Sequence, residues 1–263
     1  MRILRMPLSG LLFVLLSVSI CLAAPKGRSQ AFVTRTFTRV TQLRAQLPRL
    51  TQQMRQRLTT PALDKATATA IMFELMRQTG MRVGEPAYAK ARSRTNAKGE
   101  TVNTPASYGA STLRAEHVVA LDATTGRVQL QFDAKGNKPW TVQLNDPLLA
   151  KAMGVFVDRA NSQTTTGGSL FATLNARSTI SSELAKVNAK PHDLRRSFAN
   201  NALENALKKA PHPKSREAAV ESFKSALEQT QVLMRHSSSN TTKSYIDPSL
   251  PARFFTGLTL GDI

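Results

Sequence analysis

The first apolar pattern of the chain has helical spacing. Phe37, Val40, Leu43 and Leu47 recur at intervals of three or four residues with arginines between them, so their side chains share one helix face. Residues 25–60 are therefore predicted to form one basic amphipathic helix or two. The arginines of this segment could follow the phosphates of a nucleic acid or could form a solvated face, and both interpretations stay open.

The next pattern, at 62–80, predicts a second helix that ends at a glycine. Its core stripe comprises Ile71, Met72, Leu75 and Met76. Gly80 follows the last helical residues and is the predicted C-cap, because glycine adopts the left-handed conformation at a helix end without a steric penalty.

Alternating apolar and polar positions then predict three short strands, at 117–121, 127–132 and 140–144. The turns D-A-T-T-G and A-K-G-N-K-P separate them, so we expect a small three-stranded antiparallel sheet. Residues 93–104, S-R-T-N-A-K-G-E-T-V-N-T, are small and polar and are predicted to form an exposed loop.

Helical patterns return at 146–160 and 179–186, with the loop N-S-Q-T-T-T-G-G-S between them. Two more helices are predicted in the last third of the chain. One carries Leu194, Phe198 and Leu203 at helical spacing, and the other follows the turn K-K-A-P-H-P-K. The expected fold class is therefore α+β and mainly α.

The first 24 residues have a different pattern. Arg2 and Arg5 precede the apolar run L-S-G-L-L-F-V-L-L-S-V-S-I-C-L, and Ala23-Ala24-Pro25 follows it, which is typical of a signal peptide. A true signal peptide would make the protein periplasmic or secreted. A leader that arises from a misplaced start would leave the protein in the cytoplasm with the nucleoid.

The charge balance points to a polyanionic partner. Lysine and arginine number 36 against 17 acidic residues, a formal net charge of +19, which favours nucleic acid. Because carboxylates are scarce, catalysis by paired carboxylates is disfavoured. A single cysteine, Cys21, excludes a disulfide framework, and four scattered histidines give no convincing set of metal ligands. We therefore expect chemistry without a metal or another cofactor.

Four chemically suited side chains lie in the last part of the chain. His192 and Arg195 are three positions apart at the start of a predicted helix, so both can point from one helix end. His236 follows 41 positions after Arg195, and Tyr245 lies on a short segment that Pro248 ends. Each residue alone is more often structural, but together they predict an anion-binding site. The turn residues H-S-S-S-N-T-T predict that the phenol lies on a mobile element.

The pair of motifs His192-x-x-Arg195 and His236-x8-Tyr245 resembles the tyrosine recombinases and type IB DNA topoisomerases, which share a catalytic domain. The resemblance implies a helical DNA breaking and rejoining domain in which Tyr245 attacks a DNA phosphodiester. It also implies that Arg82, in an R-V-G context, is the first catalytic arginine.

Both branches of this superfamily keep a catalytic lysine at a hairpin tip. Lys135 and Lys138 occupy the corresponding turn, and Lys135 is preferred because it precedes Gly136. The implied catalytic set is Arg82, Lys135, Arg195, His236 and Tyr245. The residues expected to assist or to contact DNA are His192, Lys138 and Arg196.

Three features favour the topoisomerase branch. The segment S-Y-G-A-S-T-L-R-A-E-H-V at 107–118, the long interval between Arg195 and His236, and the tail P-S-L-P-A-R-F-F-T-G-L resemble type IB topoisomerases. His192 and the segment H-S-S-S-N-T-T are more similar to the corresponding residues of recombinases. The resemblance covers residues 37–263.

The expected organisation is a leader at 1–24, a basic helical segment at 25–60 and a catalytic domain at 61–263. The expected function is ATP-independent relaxation of double-stranded DNA by a monomer through a 3′-phosphotyrosyl intermediate. The residues before Arg82 are too few for the small N-terminal domain that usually closes over the duplex, so this clamp is expected to be missing. The alternatives are site-specific recombination and a catalytically inactive DNA-binding or exported protein.

Overall fold

The computed structural model of the protein describes residues 29–84, 92–95, 99–104, 108–135, 138–162, 170–171, 174 and 176–263. The predicted leader at 1–24 and most of the predicted loop at 161–169 lie outside the described residues. The described helices are α1 (Gln30–Thr59), α2 (Lys65–Thr79), α3 (Pro147–Ser162), α4 (Ala176–Ala185), α5 (Pro191–Lys209), α6 (Arg216–Met234), α7 (Ser239–Lys243) and α8 (Leu250–Phe254). The described strands are β1 (Arg92–Thr95), β2 (Thr101–Thr104), β3 (Val118–Asp122), β4 (Arg127–Ala134) and β5 (Lys138–Asn145).

The basic N-terminal segment forms one continuous helix, α1. Ser29 caps it, since its hydroxyl accepts a hydrogen bond from the Phe32 N–H at 3.3 Å. The buried face of α1 includes Val40, Leu43 and Leu58, and the helix packs against α2, α3 and α5. α1 therefore shares its core with the elements that follow it in the sequence.

Most residues of α2 are buried, and the helix ends where the sequence predicts. Its N-cap is Asp64, whose Oδ1 accepts from the Thr67 N–H at 2.7 Å. Gly80 ends the helix in the left-handed conformation with φ of 66° and donates its N–H to the Met76 carbonyl, which confirms the predicted C-cap.

The predicted antiparallel sheet is confirmed, with strand order β3-β4-β5. Alternate residues of β4, namely Val128, Leu130, Phe132 and Ala134, are buried, and α3 packs against β3 and β4. The last pair of the β4–β5 ladder is Ala134 with Lys138. Lys135 therefore lies where the chain leaves β4, while Gly136 and Asn137 lie outside the described residues.

The prediction of a loop at 93–104 was wrong for its two ends. β1 and β2 pair antiparallel with the register Arg92 to Thr104 and Thr95 to Thr101. Threonine and valine favour extended backbone, and a hairpin satisfies the backbone N–H and C=O groups without an apolar face. Because the segment is polar, it lacks the apolar alternation from which the other strands are predicted.

α5 connects two apolar clusters. Its first turn supplies Leu194 to the cluster formed with α1, α2, α3 and the sheet. Farther along, Leu203 and Leu207 pack in a second cluster with residues of α6 and the C-terminal segment. The start of α5 therefore lies at the junction of the two clusters. Among the described residues, no helix is long and apolar enough to span a bilayer.

Candidate active site

A buried carboxylate fixes the start of α5. Asp193 is fully buried and accepts three hydrogen bonds, from the Lys190 backbone N–H at 3.0 Å, Arg39 Nε at 3.3 Å and Arg196 Nη1 at 3.1 Å. The bond from the Lys190 N–H to the Asp193 carboxylate is one half of a capping box and satisfies a backbone donor at the start of α5. Arg196 is thus held by a neighbouring carboxylate, and α1 is tied to the same point through Arg39.

Arg195 lies on the adjacent helix position and is only 2% exposed. Its Nη1 donates to the Gly80 carbonyl and its Nη2 donates to the Met234 carbonyl at 2.7 Å. Burial, followed by the charge of Arg82, lowers the pKa of Arg195 to about 10, against the opposing effect of the Tyr245 phenol. Arg195 remains charged near neutral pH and joins the ends of α2 and α6 to α5.

His236 completes this group as a neutral ring. Its Nε2 lies 3.3 Å from Arg195 Nη2, and because a guanidinium can only donate, Nε2 accepts. Its Nδ1 lies 3.1 Å from the Thr242 hydroxyl, which itself donates to the Ser238 carbonyl at 3.4 Å. Nδ1 therefore carries the proton. Burial, then the charges of Arg195, Arg82 and Lys138, lowers the His236 pKa to about 4.

Tyr245 is enclosed by cationic and imidazole groups. Its ring centroid lies 5.0 Å from that of His192 and 4.7 Å from that of His236. The guanidinium carbons of Arg195 and Arg196 each lie 5.7 Å from the same centroid. Tyr245 is 8% exposed, so the structure brings four of the predicted site residues around the phenol.

Asn200 anchors the segment that carries Tyr245. The fully buried Asn200 amide donates to the Tyr245 carbonyl at 2.9 Å and to the Arg196 carbonyl at 2.7 Å, and its oxygen accepts from the Asp247 N–H at 2.8 Å. The next residue, Ile246, is fully buried. The turn residues upstream of Tyr245 do not reveal this anchor, and the predicted mobility of the segment stays a prediction.

Sequence reasoning missed Asn200. A signal was present, since Asn200 lies one position after buried Ala199 and three positions before buried Leu203 on α5. A polar residue on the buried side of a helix needs hydrogen-bond partners. Its partners are distant in the sequence, so the role of Asn200 could not be read from spacing.

The segment after Gly80 holds Arg82 by close backbone contacts. The Ala110 N–H donates to the Arg82 carbonyl at 2.9 Å, and the Ser111 N–H donates to the Val83 carbonyl at 2.8 Å. A Cβ at Gly109 would lie 2.6 Å from both the Arg82 carbonyl oxygen and the Gly84 nitrogen. This contact explains why the Y-G-A-S part of the motif at 107–118 accompanies Arg82, while Ser107 itself lies outside the described residues.

The side chains converge on one cleft, the Tyr245 cleft, with a volume of about 390 Å³. It is lined by Arg82, Val83, Gly84, Lys135, Arg177, Ser181, Lys190, Pro191, His192, Arg195 and Tyr245. These lining residues include five cations and no carboxylate. Lys135 is exposed where β4 ends, while Lys138 acts on the site through its charge near His236.

Arg177, Ser181 and Lys190 were not singled out from the sequence. Arg177 lies in the first turn of α4, Ser181 lies one turn later, and Lys190 is the N-cap residue of α5. Basic and hydroxyl residues are common at such positions. Among the described residues, no group of three or more His, Cys, Asp or Glu could hold a metal ion. The arrangement as a whole can bind an anion beside a phenol.

The chain can be compared with known proteins by sequence and by structure. No curated protein matches the sequence. Two solved structures of the XerH site-specific recombinase, bound to palindromic difH substrate after cleavage and to difH substrate before cleavage, are each 13% identical and cover 75% of this chain. Their TM-scores are 0.44 and 0.45, and the chain spans 47% and 48% of their length. The family model for the catalytic core of eukaryotic DNA topoisomerase I matches residues 30–249, and the chain therefore belongs to that family.

Proposed function

We propose that the protein breaks and rejoins one strand of duplex DNA through a covalent bond to Tyr245 and so relaxes supercoils, as a type IB DNA topoisomerase. The observation that carries this proposal is the position of the Tyr245 ring between the imidazoles of His192 and His236. The ring also lines a cleft whose described lining contains cations and no carboxylate.

The reaction exchanges one phosphodiester for another. The Tyr245 phenol oxygen forms a bond to a backbone phosphorus, and the bond from that phosphorus to the 5′-oxygen breaks, which leaves a 3′-phosphotyrosine and a 5′-hydroxyl. Lys135 protonates the leaving oxygen, and His192 accepts the phenol proton and can then contact the phosphate. Reversal reseals the strand, so no ATP is needed.

Arg82 and Arg195 stabilise the charge that grows on the non-bridging oxygens, because fixed guanidiniums match phosphate geometry and stay ionised. His236 supports Arg195 in the DNA-free arrangement, since its Nε2 faces Nη2 of that residue. Burial and then the charges of Arg195, Arg82 and Lys138 lower the His236 pKa, and a bound phosphate opposes the effect of those charges. Protonation of His236 then becomes easier, and the ring can donate to the phosphate as well.

DNA is the partner that fits this surface. The net charge of +19 and a cleft lined by cations and by no carboxylate favour contacts with phosphates, so affinity should fall steeply with salt and depend little on base sequence. All five proposed catalytic residues come from one copy of the chain. A monomer on DNA is therefore sufficient.

Site-specific recombination is the second candidate, because His192 contacts the Tyr245 ring and histidine at this position is the more recombinase-like residue. The same bond to Tyr245 would form in both reactions. The two differ in their need for a defined DNA site, which can be measured directly.

The test is relaxation of supercoiled plasmid in EDTA without ATP. Wild type should relax plasmids of unrelated sequence, Tyr245→Phe should bind DNA without relaxing it, and the matched control Tyr108→Phe should relax it. Denaturant trapping, DNA digestion and mass spectrometry should place the adduct on Tyr245. Folded wild type that yields no adduct would refute the proposal, and relaxation restricted to one sequence would favour recombination.

A further inference from the structure

Two cations in the Tyr245 cleft have no assigned role in the proposed chemistry. Arg177 lies in the first turn of α4, and Lys190 is the N-cap residue of α5. Within the described parts of the chain, neither side chain has a carboxylate or hydrogen-bond partner. By contrast, Arg39 and Arg196, which lie beside them, are both bound to Asp193. Arg177 and Lys190 therefore retain their hydrogen-bond donors for a ligand.

A hydroxyl lies with these two cations. Ser181 is one helical turn after Arg177 and lines the same cleft, and its Oγ donates to the Arg177 carbonyl at 2.9 Å. That oxygen keeps lone pairs and a proton that can turn to a new acceptor. Two cations and a hydroxyl on the rigid ends of two helices are the groups that bind a phosphate.

The cleft continues past these residues into a second depression, the α4–α5 groove, with a volume of about 410 Å³. The groove is lined by Arg39, Ser181, Ala185, Asn188, Ala189, Lys190 and Pro191. It shares Ser181, Lys190 and Pro191 with the Tyr245 cleft. A path therefore leads from the phenol across the junction of α4 and α5, and a linear polyanion can follow it.

We propose that Arg177, Lys190 and the Ser181 hydroxyl bind the backbone phosphate next to the one that Tyr245 attacks, on the same strand. The inference rests on the proposed function and adds a second phosphate site to it. This site fixes the strand in register while Arg82 and Arg195 act on the reacting phosphate. Arg177 and Lys190 contact phosphate only, so they add affinity without base discrimination.

The first test measures binding alone. Each of Arg177→Gln and Lys190→Gln should lower the slope of log affinity against log salt by about one. Arg127→Gln and Lys151→Gln are matched controls, because both residues are exposed and line neither depression. Unchanged slopes for Arg177→Gln and Lys190→Gln would overturn the second site even if the protein cleaves DNA.

The second test uses cleavage to locate the phosphate. Duplexes carrying one neutral methylphosphonate are cleaved, and the positions of the adducts are mapped on a denaturing gel. In wild type, the amount of adduct at a phosphate should decrease when the neighbouring phosphate on one side is neutral. In Arg177→Gln, the same neutral neighbour should cause no further decrease. Equal suppression in both proteins would contradict the inference. Absence of any wild-type adduct would instead refute the proposed function, and the salt slopes would still decide the second site.

Discussion

The arginines of α1 and those of the Tyr245 cleft have opposite surroundings. Four of the six arginines of α1 form ion pairs, Arg39 with Asp193, Arg44 with Glu204, Arg55 with Asp146 and Arg57 with Glu183. In the cleft, Arg82 and Arg177 have no carboxylate partner among the described residues. The scarce carboxylates of the chain thus hold α1 to the core and leave the cleft cationic, so net charge alone does not identify the anion site.

The largest expected effect is the loss of adduct formation on replacing Arg82 or Arg195, and the two variants should differ in stability. Replacement of either by glutamine should reduce the rate of covalent adduct formation by about 10²–10³-fold, because each loses a contact to transition-state charge. Arg82→Gln should keep the stability of wild type. Arg195→Gln should also lose about 1–3 kcal/mol of unfolding free energy, since the Gly80 and Met234 carbonyls are buried with it.

Adduct formation under single-turnover conditions and urea unfolding measure these two quantities. An Arg195 variant with wild-type stability would show that its carbonyl contacts contribute little. A folded Arg82 variant with normal adduct formation would remove Arg82 from the catalytic set.

Replacing Asn200 tests whether the rate of adduct formation depends on how the Tyr245 segment is positioned. Asn200→Ala removes the hydrogen bonds to the Tyr245 carbonyl and the Asp247 N–H and should slow adduct formation by up to about 10²-fold, as expected for a displaced nucleophile. DNA affinity and its salt dependence should be unchanged. Asn205→Ala, at an exposed position on the same helix, is the control. Adduct formation at the wild-type rate in a folded Asn200→Ala protein would exclude a positioning role.

Replacing Arg55 tests the role of the paired arginines of α1. Arg55 Nη1 lies 2.6 Å from Asp146, which is 5% exposed, and 3.7 Å from the fully buried Glu74. Arg55→Gln should lower the unfolding free energy by about 1–3 kcal/mol and leave the salt slope of DNA binding unchanged. A normal stability with a reduced salt slope would instead place Arg55 on the DNA surface.

Acid titration extends this test. Burial raises the pKa of Asp146, but hydrogen bonds from Arg55, Gln78 and the Leu149 N–H outweigh it and lower that pKa overall. The stabilisation is therefore present above the unfolded pKa and is lost as pH falls through the lower folded pKa. In Arg55→Gln, acid unfolding should begin at a higher pH. Coincident acid transitions would contradict this assignment.

A dependence of stability on pH is expected from His236. Its pKa is lowered from 6.5 to about 4, so the folded state binds fewer protons than the unfolded state between these values. Stability should therefore fall as pH decreases from about 6.5 to 4, and His236→Gln should flatten this part of the profile. Urea midpoints across this pH range provide the measurement. A profile that His236→Gln leaves unchanged would show that another group titrates there.

Local patterns predicted the elements well, because the Gly80 cap and the apolar alternation along β4 depend on neighbouring residues. The position of Arg195 illustrates what they could not provide. The sequence predicts Arg195 only as part of an anion-binding site, whereas the structure also buries its guanidinium against carbonyls from residues 80 and 234. Those partners are distant in the chain, as are the carboxylates that pair with α1.

Gly80 places an unusual limit on efforts to make this protein more robust. Replacing a helix-terminal glycine is a common stabilising strategy, but a Cβ here would collide with the Phe198 ring and the backbone φ is 66°. The same residue presents its carbonyl to Arg195. A side chain at position 80 would therefore both strain the end of α2 and shift the carbonyl that the Arg195 guanidinium contacts, so the stability of the helix end and the position of Arg195 depend on the same glycine.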